Sequence, residues 1–312
     1  MKKIGIIGIN DGNGHPYSFS AMFNGFDNDY LQKYCPFDLI KEYLPRDHRN
    51  EFIIQDSKVT HIWTQDRHQS ELISKTCFIP NIVDDFTDLI GKVDAVILAR
   101  DDIENHLNFI LPFLKNKIPI FIDKQLVWSK KELEIFKSNL SNDNLIMSAS
   151  PMKYSRHLED FKLKNNNLKI RTVHGISRVN WIRYAHHLLE AIVSIFGYEI
   201  EYVQSINTYK DHETILIKYY EGCSIILEFI KNISLPIQLN FFSENEEPKN
   251  LEFGDFFYGF YKMMKTFSEM INSGSQLISN EEIFKISKIV IAGQISIENN
   301  GERINPKTLK NT

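Results

Sequence analysis

Four short apolar runs in the N-terminal half, each followed by a stretch with helical periodicity, constrain this chain more than any other feature. They are KKIGIIGI at 2–9, VTHIWTQD at 59–66, VDAVILA at 93–99 and IPIFID at 118–123; a fifth, NLIMSAS, closes the series at 144–150. Nearly continuous runs of this kind suit strands buried on both faces of a parallel sheet. The segments between them, SFSAMFNGF, the stretch from Gln69 to Thr76, HLNFILPFLKN and SKKELEIFKSNL, read as helices. Strands alternating with helices demand right-handed crossovers and a doubly wound sheet. Ligands of such sheets sit at the carboxyl ends of the strands, so the polar loops after Ile9, Ala99 and Ile122 are predicted to share one rim.

The turn after the first strand, GINDGNGHPYS, is the phosphate-binding candidate. Glycines there let backbone N–H groups and a helix N-terminus approach a pyrophosphate. Gly8, Gly12 and Gly14 are present, and Asn10, which tolerates left-handed backbone, stands where a second glycine is usual. Asp66 ends the second run and is placed to accept from an adenosine ribose, or else to cap the next helix. A carboxylate there favours NAD, whereas its neighbour Arg67 suits the 2′-phosphate of NADP. Residues 27–58, with CPFDLIKEYLPRDH, read as a partly helical excursion between the first two strands.

From Leu168 the pattern changes to LKIRTVHGISRV, EYVQSINTY, TILIKYY, CSIILEFI and PIQLNFF, strands joined by short turns, then two helices from about 256 and 280. The predicted fold is therefore α/β: an N-terminal Rossmann domain over 1–150 with a doubly wound parallel sheet, then an α+β domain over 151–312 with a largely antiparallel open sheet. An uncovered sheet face predicts self-association as a homodimer or homotetramer.

Composition excludes several classes. With 36 basic against 40 acidic side chains and a net charge of -4, the chain has no general attraction to nucleic acid or anionic membrane. No run reaches the ~18 apolar residues of a membrane span. Cys35, Cys77 and Cys223 are scattered and odd in number, which argues against a disulfide framework and for a reducing cytoplasm. No histidine or cysteine pair has metal-ligand spacing, so no catalytic metal is expected.

The chain resembles the glucose–fructose oxidoreductase / inositol dehydrogenase (Gfo/Idh/MocA) family in the order of several segments along nearly its whole length. VDAVILARDDIENHLNFILPFL matches the third strand, short polar loop and histidine-bearing helix; IPIFIDKQLVWSKKELEIF matches the strand that ends in Glu-Lys-Pro, here Asp123-Lys124-Gln125. RYAHHLLEAIVSIFG matches the helix with a D-x-G-x-H-x-x-D pattern, placing His187 at the histidine and Glu190 at the last acid. Gln125 replaces the proline, Arg183 stands where many members have a catalytic aspartate, and Ala185 replaces glycine; Tyr184, Ala185, His187 and Glu190 fit a Tyr-Gly-x-His-x-x-Glu branch better.

The resemblance implies an NAD-dependent, or alternatively NADP-dependent, enzyme that moves a hydride between a nicotinamide and a carbon of a sugar-derived substrate. Lys124 is then the group beside the nicotinamide, able to stabilise an alkoxide or pass a proton. Without the resemblance it reads as an exposed lysine or a salt bridge to Asp123. His187 is the acid/base candidate, with Arg183 and Glu190 at spacings of four and three on its helix face; the plainer reading is a capped, satisfied core histidine, with Arg183, His187 and Glu190 a solvated face. Glu190 is expected to orient the imidazole, Arg183 and Tyr184 to meet substrate, and His186, about 100° away, ranks lower. Lys153 and Tyr154 line the substrate pocket or form a hinge. Ala99, Arg100 and Asp101 belong to the cofactor rim; Asn105, His106 and His15 cap helices or lie near the cofactor. Two other functions stay open: a non-catalytic dinucleotide-binding or partner-binding protein, and a lyase or hydrolase using bound NAD without net redox change.

Overall fold

The computed structural model describes residues 1–309 except Arg49, Ile233 and Leu235, and except the side chains of Asn50 and Asn207. The last three residues of the expected second domain, 310–312, lie outside the described residues. The chain divides into two compact units, Met1–Val127 with Ile135–Ser148 and Phe260–Asn280, and Trp128–Glu134 with Ala149–Gly259 and Glu281–Thr312.

Along the first 150 residues run β1 (Lys2–Ile7), α1 (His15–Asn24), α2 (Asn28–Tyr34), α3 (Asp38–Asp47), β2 (Ser57–Trp63), α4 (Arg67–Thr76), β3 (Asn81–Ile82), β4 (Ala95–Leu98), α5 (His106–Lys115), β5 (Ile120–Ile122), α6 (Lys130–Ser138) and β6 (Ile146–Met147). The six strands are parallel in the order β3-β2-β1-β4-β5-β6, so the order reverses at β1. That reversal is where an open α/β sheet leaves a crevice for ligands. The central strands form because they are apolar on both faces: Ile4, Ile6, Ile7, Ala95, Val96, Ile97, Leu98 and Phe121 have no exposed surface. Each large aliphatic or aromatic side chain so buried contributes about 1.5–3 kcal/mol. The excursion holds α2, which Asp27 caps by accepting from the Tyr30 N–H at 2.9 Å, and α3.

The rest of the chain contains α7 (Arg156–Lys164), β7 (Ile170–Arg178), α8 (Trp181–Phe196), β8 (Ile200–Tyr209), β9 (His212–Tyr219), β10 (Ser224–Ile230), β11 (Ile237–Ser243), β12 (Lys249–Phe253), α9 (Phe256–Ser273) and α10 (Asn280–Glu298). The second sheet has the order β12-β11-β7-β10-β9-β8, antiparallel at every junction but β7 with β10. Strand β10 alternates buried Ile225, Leu227 and Phe229 with half-exposed neighbours, as a sheet with one packed face must. On the packed side lies α8, buried continuously from Ala185 to Val193. Asn180 caps it by accepting from the Arg183 N–H at 3.2 Å, and Gly197, at φ 71°, ends it. Trp181 anchors its start, donating to the Val290 carbonyl at 2.8 Å and packing where a Cβ on Gly293 would lie 2.3 Å from the indole. Three elements escaped the sequence reading: the two-residue strand β3, the helix α7 and the short strand β12. Among the described residues no helix is long and apolar enough to cross a membrane.

Candidate active site

The first unit gathers its polar groups where β1, β4 and β5 end. A Cβ on Gly8 would lie 2.3 Å from the Pro16 ring, so only glycine permits this approach of strand to helix. Gly12 takes φ 78° with nothing within 4 Å of a Cβ position. The first N–H groups of α1 are already used: His15 donates to Asn13 Oδ1 at 2.8 Å, Pro16 has none, and Tyr17 donates to the Gly14 carbonyl at 3.1 Å. This corrects the expectation that the helix N-terminus meets a pyrophosphate. Gly14 has a packing role as well: a Cβ there would lie 2.7 Å from Ile40 Cγ1, so the glycine admits α3. The exposed N–H groups of Asp11 and Gly12 bond to no acceptor among the described residues, so the turn itself is what fits a phosphate.

Asn10 joins this turn to the loop after β4. Its Nδ2 donates to Asp101 Oδ1 at 2.6 Å, and the Asp101 N–H donates back to Asn10 Oδ1 at 3.1 Å. Asp101 Oδ2 lies 3.5 Å from the ammonium of Lys124, which follows β5 and is only 6% exposed. Burial alone would raise the Asp101 carboxyl, but the Lys124 charge and the Asn10 hydrogen bond outweigh it and hold it at about 2. Asp123, 1% exposed, accepts from the Lys124 N–H at 2.9 Å, from Asn13 Nδ2 at 3.3 Å and from His15 Nδ1 at 2.5 Å. Its carboxyl is likewise held low: burial pushes up, and the charges of His15 and Lys124 push down further. The plainer reading of Lys124 as an exposed lysine fails, since its ammonium is buried beside Asp101. Asn13 had no place in the sequence reading, and its position inside the glycine turn was the available signal.

Several expected cofactor contacts serve the rim instead. Arg100 is spent on protein acceptors, with Nε and Nη2 on the Asp102 carboxylate at 2.8 and 2.6 Å and Nη1 on the Ile9 carbonyl and Gln65 Oε1 at 2.8 and 2.7 Å. Asn105 precedes α5 but caps nothing with its side chain, which donates to Asp102 Oδ2 at 2.8 Å. His106 is fully buried between the carbonyls of Arg100 and Leu126, at 2.9 and 3.3 Å, and burial lowers its affinity for a proton. Its ring therefore braces the loop; Ala99 beside it is buried. Asp66 caps α4, accepting from the His68 N–H at 2.9 Å, and Arg67 pairs with Asp84 and, at 3.8 Å, with Glu71.

In the second unit the chemistry collects on α8. His187, 8% exposed, holds its Nδ1 2.7 Å from Ser150 Oγ, and Ser150 also accepts from the Met152 N–H at 3.2 Å. Tyr184 stands edge-on to the His187 ring at 5.3 Å. Glu190 departs from expectation. Its Oε1 lies 3.2 Å from His186 Nε2 and its Oε2 3.8 Å from Lys153 Nζ, so it orients His186 while Ser150 orients His187. Glu190 and His187 are 2% and 8% exposed, which removes the solvated-face reading for them. Arg183 and Tyr154 are half-buried, the former in the first turn of α8 and the latter in the short helical turn after Ser150. Sequence reasoning missed Ser150 because it looked like the plain end of a strand. Among the described residues no group of three or more histidine, cysteine or acidic side chains is arranged to hold a metal ion.

No sequence-family model matches the chain, and no curated protein sequence does. Solved structures match over almost its full length. A probable dehydrogenase from Thermotoga maritima superposes with a TM-score of 0.74 at 13% identity, covering 99% of this chain and 100% of that one. The scyllo-inositol dehydrogenase from Lactobacillus casei with bound NAD(H) and scyllo-inositol gives 0.74 at 13% identity, with coverage of 99% and 100%. An oxidoreductase from Agrobacterium radiobacter in complex with NAD+, L-tartaric acid and magnesium gives 0.69 at 12% identity, covering 99% of each chain. The chain thus has the fold of the Gfo/Idh/MocA-type dehydrogenases.

Proposed function

We propose that this chain, built on the fold of the NAD-dependent inositol and sugar dehydrogenases, is itself an NAD(P)-dependent oxidoreductase for a sugar-derived polyol. The observation that carries the proposal is Lys124: a buried ammonium at the carboxyl end of β5, held by an ionised Asp101 beside the glycine turn. Buried charge at the switch point of a parallel sheet is costly to maintain and marks a site used for chemistry. We assign the dinucleotide to residues 1–150 and the substrate to 151–312.

The N–H groups of Asp11 and Gly12 would hold the diphosphate, since they have no protein acceptor and Gly12 leaves room. The pairing of Arg67 with Asp84 and Glu71 favours NAD over a 2′-phosphorylated cofactor. When bound, the nicotinamide supplies hydride exchange. Lys124 stabilises the oxygen as it gains alkoxide character, at an ammonium already desolvated. His187, kept in one orientation by Ser150, is the second unit's own candidate to pass a proton. Arg183, Tyr184, Lys153, Tyr154 and Glu190 bind the remaining hydroxyls. The chain associates with copies of itself through the uncovered face of the second sheet.

The test is NAD(H) binding by calorimetry followed by turnover with a panel of inositols, sugars and sugar acids. Net NADH change that falls by about 100-fold or more in Lys124→Met, with cofactor affinity kept, supports the reading. Product without net NADH change points to the lyase or hydrolase alternative, and binding without turnover to a non-catalytic role.

A further inference from the structure

We propose that His15 is a proton acceptor of this site, oriented by Asp123, so that the first unit carries an imidazole–carboxylate dyad in addition to Lys124. The inference rests on the oxidoreductase reading. It starts from the hydrogen bond between His15 Nδ1 and Asp123 Oδ2 at 2.5 Å.

Asp123 is buried, and its carboxyl is held below its ordinary range. An ionised carboxylate only accepts, so the hydrogen in this bond belongs to His15 Nδ1. In its neutral form the ring then carries its lone pair on Nε2, which has no hydrogen-bond partner among the described residues. The ring cannot turn to reverse this. Phe19 stacks on it with centroids 4.8 Å apart, Phe260 meets it edge-on at 5.0 Å, and its backbone N–H is fixed on Asn13 Oδ1 at 2.8 Å. Its side chain is 18% exposed, so the buried carboxylate lies behind it and the acceptor nitrogen has access to a ligand. A histidine that only capped α1 would need neither the buried carboxylate nor the aromatic clamp.

In the oxidation direction the substrate O–H bond breaks and its proton goes to Nε2, giving an imidazolium paired with the Asp123 carboxylate. The electron pair of that bond forms the C=O, and the hydride leaving the same carbon is taken up by the oxidised nicotinamide. Asp123 is a positioning residue, since it acts only through the ring.

The dyad is tested on the full chain labelled with 15N-histidine. The expected long-range 1H–15N pattern for the neutral form of His15 is a protonated Nδ1 and a bare Nε2, with the preference lost in Asp123→Asn. His15→Gln, which keeps a donor toward Asp123, is expected to lower kcat on the order of 100-fold, with KM and the NADH Kd changed less than about threefold. A neutral ring protonated at Nε2 in the wild type, or a His15→Gln protein with undiminished kcat, overturns the proposal. A wild type with the expected tautomer that binds no NAD(H) instead overturns the oxidoreductase reading, and the two failures are told apart.

Discussion

Asp101 and Lys124 stand 3.5 Å apart at the ends of the neighbouring strands β4 and β5, and this pair makes the rim of the first sheet sensitive to acid. The folded-state value of Asp101, about 2, lies below its ordinary value of 3.8. A depressed carboxyl stabilises the fold above its ordinary value, and that stability is lost as pH falls toward the folded value. Between about pH 5 and pH 2, the wild type should lose about 2 kcal/mol more unfolding free energy than Asp101→Asn. Urea unfolding of both proteins across this range checks it; parallel curves would show that Asp101 is not held low.

The two glycines of the turn should fail differently. Gly12→Ala strains a left-handed residue in open space and should cost about 1 kcal/mol. Gly8→Ala drives a methyl into the Pro16 ring and should cost about 2–3 kcal/mol. Thermal melts that rank them the other way would refute the packing account. Of the two, Gly12→Ala should also weaken dinucleotide binding without first disturbing the junction of β1 and α1.

Arg100 is predicted to be structural. Arg100→Met takes the guanidinium from the Asp102 carboxylate, which keeps only the Asn105 amide, and from the Ile9 carbonyl, which keeps the Gln65 amide, and should destabilise by about 3 kcal/mol. Adding Asp102→Leu removes the stranded charge and should recover a good part of the loss. A double-mutant cycle in denaturant measures this, and strict additivity of the two changes would contradict it.

Ser150→Ala removes the partner of His187 Nδ1 and should cost about 1–2 kcal/mol, since the nitrogen is left without it in a buried setting. With Ser150 both bonded to the ring and accepting from Met152, its hydroxyl hydrogen is best placed on Nδ1, so the neutral His187 carries Nε2–H. Histidine NMR of wild type and variant reads the change; an unaltered tautomer in Ser150→Ala would remove the positioning role.

The strands and helices of the first half were legible because their signals are local. A strand buried on both faces is apolar throughout, and a helix repeats its apolar side chains within four residues, so neither depends on what packs against it. β3, α7 and β12 escaped for want of such a signal: NI and KNLEF are short, and RHLEDFKLK is mostly charged. The rim position of Lys124 also followed from strand order alone.

The partners of the site residues did not. Glu190 can reach back three residues or four along α8, so spacing allowed either His187 or His186; Ser150, 37 residues away, takes the first and leaves Glu190 to the second. Nothing in the sequence showed that α3 packs on Gly14, and His106 looked accessible until two carbonyls enclosed it. Sequence by itself determined which segments become strands and helices, because backbone preference and apolar periodicity are written in neighbouring residues. Only the tertiary structure decided which polar groups are consumed by one another and which are left to a ligand, because a hydrogen bond depends on a few ångströms of distance that the chain sets only once folded.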